Sequence, residues 1–194
     1  MSKLDYRSDA ELYQQMCNTA SSKRERDAAF TEIYRRYSPR VYAYCRRILG
    51  EDTSAQDAFQ ETFIRFYTTA DAERTMTNLP AYLLRIARNI CLNLKRSQRP
   101  TVELQDFHAI IPDHPYENNE LASLLAHALE LLPMEYREAF VLHEYEGFSY
   151  AEIGAMTGTS ADVIKVRAFR ARQKLRKILA PYFSDRTEDM NTER

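Results

Sequence analysis

The chain has 194 residues, 44% hydrophobic and 28% charged, with 27 basic and 28 acidic side chains. That balance suits one large or two small globular domains. Only four glycines, and no GxGxxG or GxxxxGK[ST] string, argue against a glycine-rich phosphate loop or a loop-rich all-β fold.

No apolar run approaches 18 residues, and Met1-Ser2-Lys3-Leu4-Asp5 lacks the apolar core of a signal peptide, so a cytoplasmic protein without membrane insertion is expected. The cysteines, Cys17, Cys45 and Cys91, are odd in number and far apart, and read as buried free thiols.

The near-neutral total hides blocks. Residues 29–99 carry 12 basic and 7 acidic side chains, and no acid lies between Glu73 and Glu103. Residues 100–120 carry five acids and no base, and residues 121–159 six acids and Arg137 alone. Residues 160–180 carry seven bases against Asp162. Two basic blocks separated by an acidic one suggest two contacts to a polyanion, nucleic acid above all. The alternative is a pair of solvated helix faces.

Residues 29–49 have helical spacing at Phe30, Ile33, Tyr34, Tyr37, Val41, Tyr44 and Ile48. Pro39 should kink or split this helix, and Gly50 should stop it. A second helix is expected from Ser54, with Ser54 to Asp57 as a capping box and Phe59, Phe63 and Phe66 as its buried stripe. Residues 69–78 read as a loop. Pro80 fits the first turn of a third helix, 79–97, with Leu83, Ile86, Ala87, Ile90 and Leu94 inward and Arg85, Arg88, Asn89, Leu92, Lys95 and Arg96 outward. Residues 98–119 read as an acidic linker that can span at most roughly 80 Å.

Helices resume near 120, where Leu121, Leu124, Leu125, Ala128 and Leu131 recur; Leu132-Pro133 ends them, and another helix covers 134–145. Ser149 stands three residues before Glu152, a capping-box spacing that opens a short helix to about Met156. Gly158 permits a left-handed turn, and Thr159 or Ser160 can cap a last helix that runs to about Leu179. Gly154 lets the two helices approach, and Ile164 packs the second onto the first. This is a helix-turn-helix. Its second helix keeps Ile164, Ala168, Ala171, Leu175, Ile178 and Leu179 on one side and seven basic residues on the rest, as a recognition helix requires.

Four strings in order resemble a family: Asp57-Ala58-Phe59-Gln60-Glu61-Thr62-Phe63, Pro80 to Asn89, Leu132-Pro133 followed by Arg137, and Tyr150 to Leu175. Over residues 28–180 the chain resembles the extracytoplasmic-function (ECF) sigma factors, bacterial transcription initiation subunits. The resemblance implies an all-α protein of two small helical domains joined by a flexible linker, the second a helix-turn-helix. It divides the chain into an N-terminal extension (1–27), a polymerase-binding and −10-recognition domain (28–97), the linker (98–119), a −35-recognition domain (120–180) and an acidic tail (181–194).

The resemblance also implies core RNA polymerase and promoter DNA as partners, an anti-sigma factor that holds the protein inactive, a monomer when free, and no catalytic residues, cofactor or metal. For −35 DNA the candidates are Ser160, Ala161, Asp162, Lys165, Val166, Arg167, Phe169, Arg170 and Arg172. For the −10 strand they are Arg85, Arg88, Asn89, Asn93, Lys95 and Arg96, with the loop 69–78 lining a pocket for an unstacked base. For polymerase they are Asp57, Gln60, Glu61 and Ile64, on the helix face opposite Phe59 and Phe63.

The chain departs from the family's pattern in places. Tyr82 stands for the usual Trp, and Val166 for a common Ser; Asp162 and Phe169 are also atypical. Val166 lies opposite the buried stripe, where it would meet a thymine methyl. The competing readings are a stand-alone helix-turn-helix regulator, expected to be a dimer, and an enzyme, for which His108, His114, His127 and His143 form no close metal pair.

Overall fold

The computed structural model describes residues 7–97 and 120–189. Every regular element among them is helical. The chain divides into two compact units, residues 1–98 and 99–194. The linker expected over 98–119, with His108 and His114, lies outside the described residues.

The first unit starts before Phe30. Helix α1, Asp9–Cys17, is opened by a capping box between Ser8 and Glu11. It packs on α2 and buries Leu12, Tyr13 and Met16. Helix α2, Lys23–Leu49, has its own capping box, Ser22 with Glu25. So the segment read as an N-terminal extension supplies a helix and the first turns of another to this unit's core.

Pro39 neither ends α2 nor splits it; the helix is continuous across 27 residues. A proline inside a helix costs about 3 kcal/mol, since one backbone bond is lost. Burial overrides that cost here. Ala29 and Ile33 before the proline, and Val41, Tyr44, Cys45 and Ile48 after it, are all at most 1% exposed. They pack against α1, α3 and α4. Full burial of one such aliphatic or aromatic side chain stabilises by about 1.5–3 kcal/mol. Gly50 ends the helix as expected, at φ 79°.

Helix α3 is Asp52–Thr68, so it begins two residues before Ser54. Its N-cap is Glu51, which makes no side-chain cap bond. The capping box read at Ser54 is absent; the Ser54 hydroxyl instead donates back to the Glu51 carboxylate at 2.9 Å. A serine inside the first turn can turn outward in this way while the backbone stays helical. The buried face of α3 is Ala55, Ala58, Thr62, Phe63 and Phe66, with Phe59 only half-buried. Thr62 satisfies its hydroxyl on the Ala58 carbonyl at 2.6 Å.

A loop then leads to α4, Leu79–Ser97, with the bounds the sequence predicts. Leu79, Leu83, Leu84, Ala87, Ile90 and Cys91 are buried, whereas Ile86 and Leu94 are half-buried. Cys45 and Cys91 are buried free thiols; Cys17 is partly exposed and also free.

The second unit comprises α5, Glu120–Glu130, α6, Met134–Phe140, α7, Tyr150–Thr157, and α8, Ala161–Asp189. The stripe expected on α5 is partly exposed: Leu121 and Leu131 are 57% and 42% accessible, while Ala128 and Leu129 are buried. Helix α6 continues into a π-helical turn, Val141–Tyr145. Helix α8 passes Leu179 and Pro181. No glycine follows Leu179, and around Pro181 the chain is exposed, so its missing N–H strands no buried acceptor. Among the described residues no helix is long and apolar enough to cross a membrane.

Candidate nucleic-acid interface

The helix-turn-helix forms from local chemistry. Ser149 and Glu152 exchange the capping-box hydrogen bonds at the start of α7. The Ser149 hydroxyl and backbone N–H both donate to Glu152, which holds its carboxyl below the usual range. Gly158 ends α7 in the left-handed region at φ 71°. A Cβ on Gly154 would lie 2.6 Å from the Thr159 carbonyl oxygen, so only glycine allows the turn to close over α7. The Thr159 N–H donates to the Gly154 carbonyl at 3.0 Å across that contact. Of the two cap candidates, Ser160 is the one used: its hydroxyl accepts from Val163 N–H at 3.4 Å.

Helix α8 buries Ile164, Ala168, Ala171 and Leu175 against α6 and α7. The rest of its surface, with the N-cap, presents Ser160, Ala161, Asp162, Lys165, Val166, Phe169, Arg170 and Arg172, all exposed, with Arg167 half-buried. Val166 and Phe169 are 47% and 54% accessible. Val163, absent from the sequence-based candidates, joins them at 43%. It escaped notice because a valine beside Ile164 reads as core, while the helix rotation turns it outward.

Three arginines reach back to the rest of the unit. Arg170 donates to the Tyr136 hydroxyl at 3.2 Å. Arg172 pairs with Glu144 at 3.0 Å and donates to the Tyr150 hydroxyl at 3.3 Å. Arg167 pairs with Glu135 at 3.0 Å. The acids of the neighbouring block thus face the basic helix and partly neutralise it. These pairs are solvent-accessible, each worth under about 1 kcal/mol, so a phosphate could take over a guanidinium at little cost. Glu144 lies in the π-helical turn. In the same turn His143 meets the Phe148 carbonyl through Nδ1 at 2.8 Å and stacks on Tyr150 at 4.2 Å. Among the described residues, no three His, Cys, Asp or Glu side chains group as metal ligands would.

In the first unit, the outer face of α4 carries Arg85, Asn89, Asn93 and Arg96 exposed, with Arg88 and Lys95 half-buried. The neighbouring loop is pinned at several points. The Tyr13 hydroxyl accepts from Asp71 N–H at 3.1 Å and donates to the Asp71 carbonyl at 3.3 Å. Arg74 lies over the Tyr82 ring, 4.6 Å from its centroid. Met76 is buried. Tyr82 packs on Phe66 edge-to-face, the two ring centroids 6.1 Å apart.

On α3, Asp57 and Gln60 are exposed, Glu61 is half-buried and paired with Arg65 at 2.5 Å, and Ile64 is 56% accessible. Tyr34 of α2 and Tyr67 of α3 are also exposed, at 39% and 40%. They cap a ring cluster in which Phe30–Tyr67 and Tyr34–Phe63 centroids lie 5.1 and 4.7 Å apart. Helical spacing assigned Tyr34 to the interior. Only the crossing of α2 with α3 shows that this aromatic cluster reaches the surface.

Comparison with known proteins finds two family matches. Residues 33–101 match Sigma-70 region 2, and residues 122–175 match Sigma-70, region 4. The ECF RNA polymerase sigma factor SigE of Mycolicibacterium smegmatis is 34% identical over 165 residues, which is 81% of this chain and 64% of that protein. The RNA polymerase sigma factor CarQ of Myxococcus xanthus is 31% identical, over 78% of this chain and 89% of that protein. The solved structure of CnrH in complex with the cytosolic domain of CnrY superposes with a TM-score of 0.66 and 25% identity, covering 89% of this chain and 97% of that one.

Proposed function

The chain belongs to the extracytoplasmic-function sigma factors of bacterial RNA polymerase, and on that premise we propose how its two units divide the work of directing core polymerase to promoters. The first unit docks on core polymerase through α3, with Asp57, Gln60, Glu61 and Ile64 as the contact face. Tyr34 and Tyr67 extend that face. Exposed Tyr and Ile among acids and amides favour a protein partner over DNA.

The acid-free face of α4 meets the melted −10 strand. Arg85, Arg88, Lys95 and Arg96 neutralise its phosphates, Asn89 and Asn93 supply hydrogen bonds, and the loop before α4 receives an unstacked base. The second unit places α8 in the major groove of the −35 element. Ser160, Ala161, Asp162, Lys165, Val166 and Phe169 face base edges; Arg167, Arg170 and Arg172 take phosphate or guanine. The domain division follows: residues 28–97 bind polymerase and the −10 element, 98–119 link, and 120–180 read the −35 element.

The observation that carries this reading is the pairing of two basic faces, on α4 and α8, with a non-basic, partly apolar face on α3. An anti-sigma factor is the partner expected to cover these faces, and the solved relative is itself held by a second protein. The protein acts in the cytoplasm and has no reaction of its own to catalyse. The stand-alone-regulator alternative is set aside, because the relatives match across both units.

The test is titration of the purified protein into bacterial core polymerase, followed by sizing chromatography. A stoichiometric complex is expected. Asp57→Arg with Gln60→Ala should lower that affinity at least tenfold, since a cation then replaces an anion at the interface. A folded double variant that binds as tightly as wild type refutes the α3 assignment.

A further inference from the structure

Helix α1 has no role in the reading above. Its contacts assign it one. The helix is held on α2 by Asp9, which pairs with Arg36 at 3.2 Å and accepts from the Tyr37 hydroxyl. Arg36 is in turn paired with the buried Glu32 at 2.7 Å. One turn further along, Tyr13 is fully buried, its ring 6.0 Å from Phe66.

The Tyr13 hydroxyl reaches across 58 positions of sequence and grips both backbone groups of one residue, Asp71. Burial pushes this hydroxyl's pKa up, so at neutral pH it keeps the proton it donates. Asp71 opens the loop's turn. Its carboxylate accepts from Glu73 N–H at 2.9 Å, and its carbonyl also accepts from Arg74 N–H at 3.2 Å. Arg74 ends that turn, stacked on Tyr82 of α4. One unbroken line of contacts therefore runs from α1 through Asp71 to Arg74, which lies against α4. Between these anchors Ala72, Glu73, Thr75, Thr77 and Asn78 are exposed.

We propose that Tyr13 is a positioning residue for promoter opening: α1 clamps the turn 71–74, so that Arg74 and the exposed loop residues meet the −10 strand already arranged. This rests on the reading of the loop as the −10 contact. The physical benefit is preorganisation. A loop that is ordered before it meets the strand does not lose conformational entropy on binding. The same clamp fixes which bases fit, so it also sharpens −10 selectivity.

The test uses Tyr13→Phe, which keeps the buried ring and removes only the hydroxyl. Two readouts are taken. Amide hydrogen exchange of the full chain should show Asp71 and Arg74 exchanging about fivefold faster, the equivalent of one net hydrogen bond. Amides of α2, α3 and α4 should stay unchanged. Holoenzyme assembled on core polymerase is then assayed on a promoter selected from a random pool with the wild-type holoenzyme. Opening is followed by 2-aminopurine fluorescence in the −10 element. Tyr13→Phe should open that promoter about fivefold less well and discriminate less against single −10 base changes. Core affinity should stay within twofold.

Unchanged exchange at Asp71 and Arg74 overturns the clamp. Faster exchange with unchanged opening and selectivity overturns the positioning role, as does an equal loss of core affinity. If the wild-type holoenzyme opens no promoter, the parent reading fails instead, while the exchange data still decide the clamp.

Discussion

Gly154 is the position where steric contact and helix propensity make opposite predictions. Alanine inside a helix is favoured over glycine by about 1 kcal/mol. Yet a Cβ on residue 154 would sit 2.6 Å from the Thr159 carbonyl oxygen and 3.4 Å from Ala161 N. Ordinary contact is about 3.5 Å, so the turn must retreat by almost 1 Å or α7 must tilt. The obstacle is backbone, which no rotamer change can relieve. Overpacking of this kind costs about 1–3 kcal/mol. Separation of the turn from α7 also weakens the Thr159 N–H bond to the Gly154 carbonyl, worth about 1 kcal/mol.

The steric terms exceed the propensity gain, so Gly154→Ala should destabilise the α7–α8 pair by about 1–3 kcal/mol. Amide exchange of buried α8 residues Ile164 and Ala168 reads this locally, which avoids fitting one transition to a two-unit chain. Exchange should accelerate by about 5- to 150-fold. Gly158 offers the contrast. A Cβ there meets nothing within 4 Å, and its constraint is φ +71°. Gly158→Ala should cost about 1–2 kcal/mol through the left-handed backbone, and Gly158→Asn should recover much of that, whereas Gly154→Asn should not. Slower or unchanged exchange in Gly154→Ala would refute the claim that close approach of the turn fixes α8 on α7.

Glu32 is 6% exposed and pinned by Arg35 and Arg36, whose hydrogen bonds draw its pKa from 4.5 to about 2. A depressed carboxylate pKa stabilises above the unfolded value of 4.5 and is lost as pH falls toward 2. The thermal stability of the first unit should therefore fall through that window, and Glu32→Gln should remove this part of the acid dependence. An acid profile identical in wild type and Glu32→Gln would exclude the contribution. Arg170→Ala should weaken −35 duplex binding by the holoenzyme and reduce the slope of log affinity against log salt by about 1 if its partner is a phosphate; core affinity should not change. Equal duplex affinity in Arg170→Ala would remove it from the −35 contacts. Arg137 is buried and donates to the carbonyls of Glu130 and Leu132, joining the end of α5 to α6. Arg137→Met keeps the bulk but strands those acceptors, at a cost of about 1–3 kcal/mol. Urea unfolding of the variant that matches wild type would contradict this.

Much of the architecture was legible in residue order alone, because helix spacing, caps and stops are local interactions. Ser149 with Glu152 started α7, Gly50 and Gly158 ended their helices, and Pro80 opened α4 within its first turn. The alternation of basic and acidic blocks pointed to α4 and α8 as the basic helices on which the proposed nucleic-acid contacts rest. Local signals misled where tertiary packing outweighed them: Pro39 stayed inside α2 because burial on both sides exceeds the loss of one hydrogen bond. Ser54 looked like a cap, yet Glu51 holds that place.

What no local pattern could supply were pairings between distant helices. The grip of Tyr13 on Asp71, the back-pairing of Arg167 and Arg172 onto Glu135 and Glu144, and the surfacing of Tyr34 and Tyr67 each depend on how two elements cross. Short-range backbone energetics set where each helix begins and ends. Close packing between helices decides which side chains meet, and so which of the exposed residues are free to meet a partner.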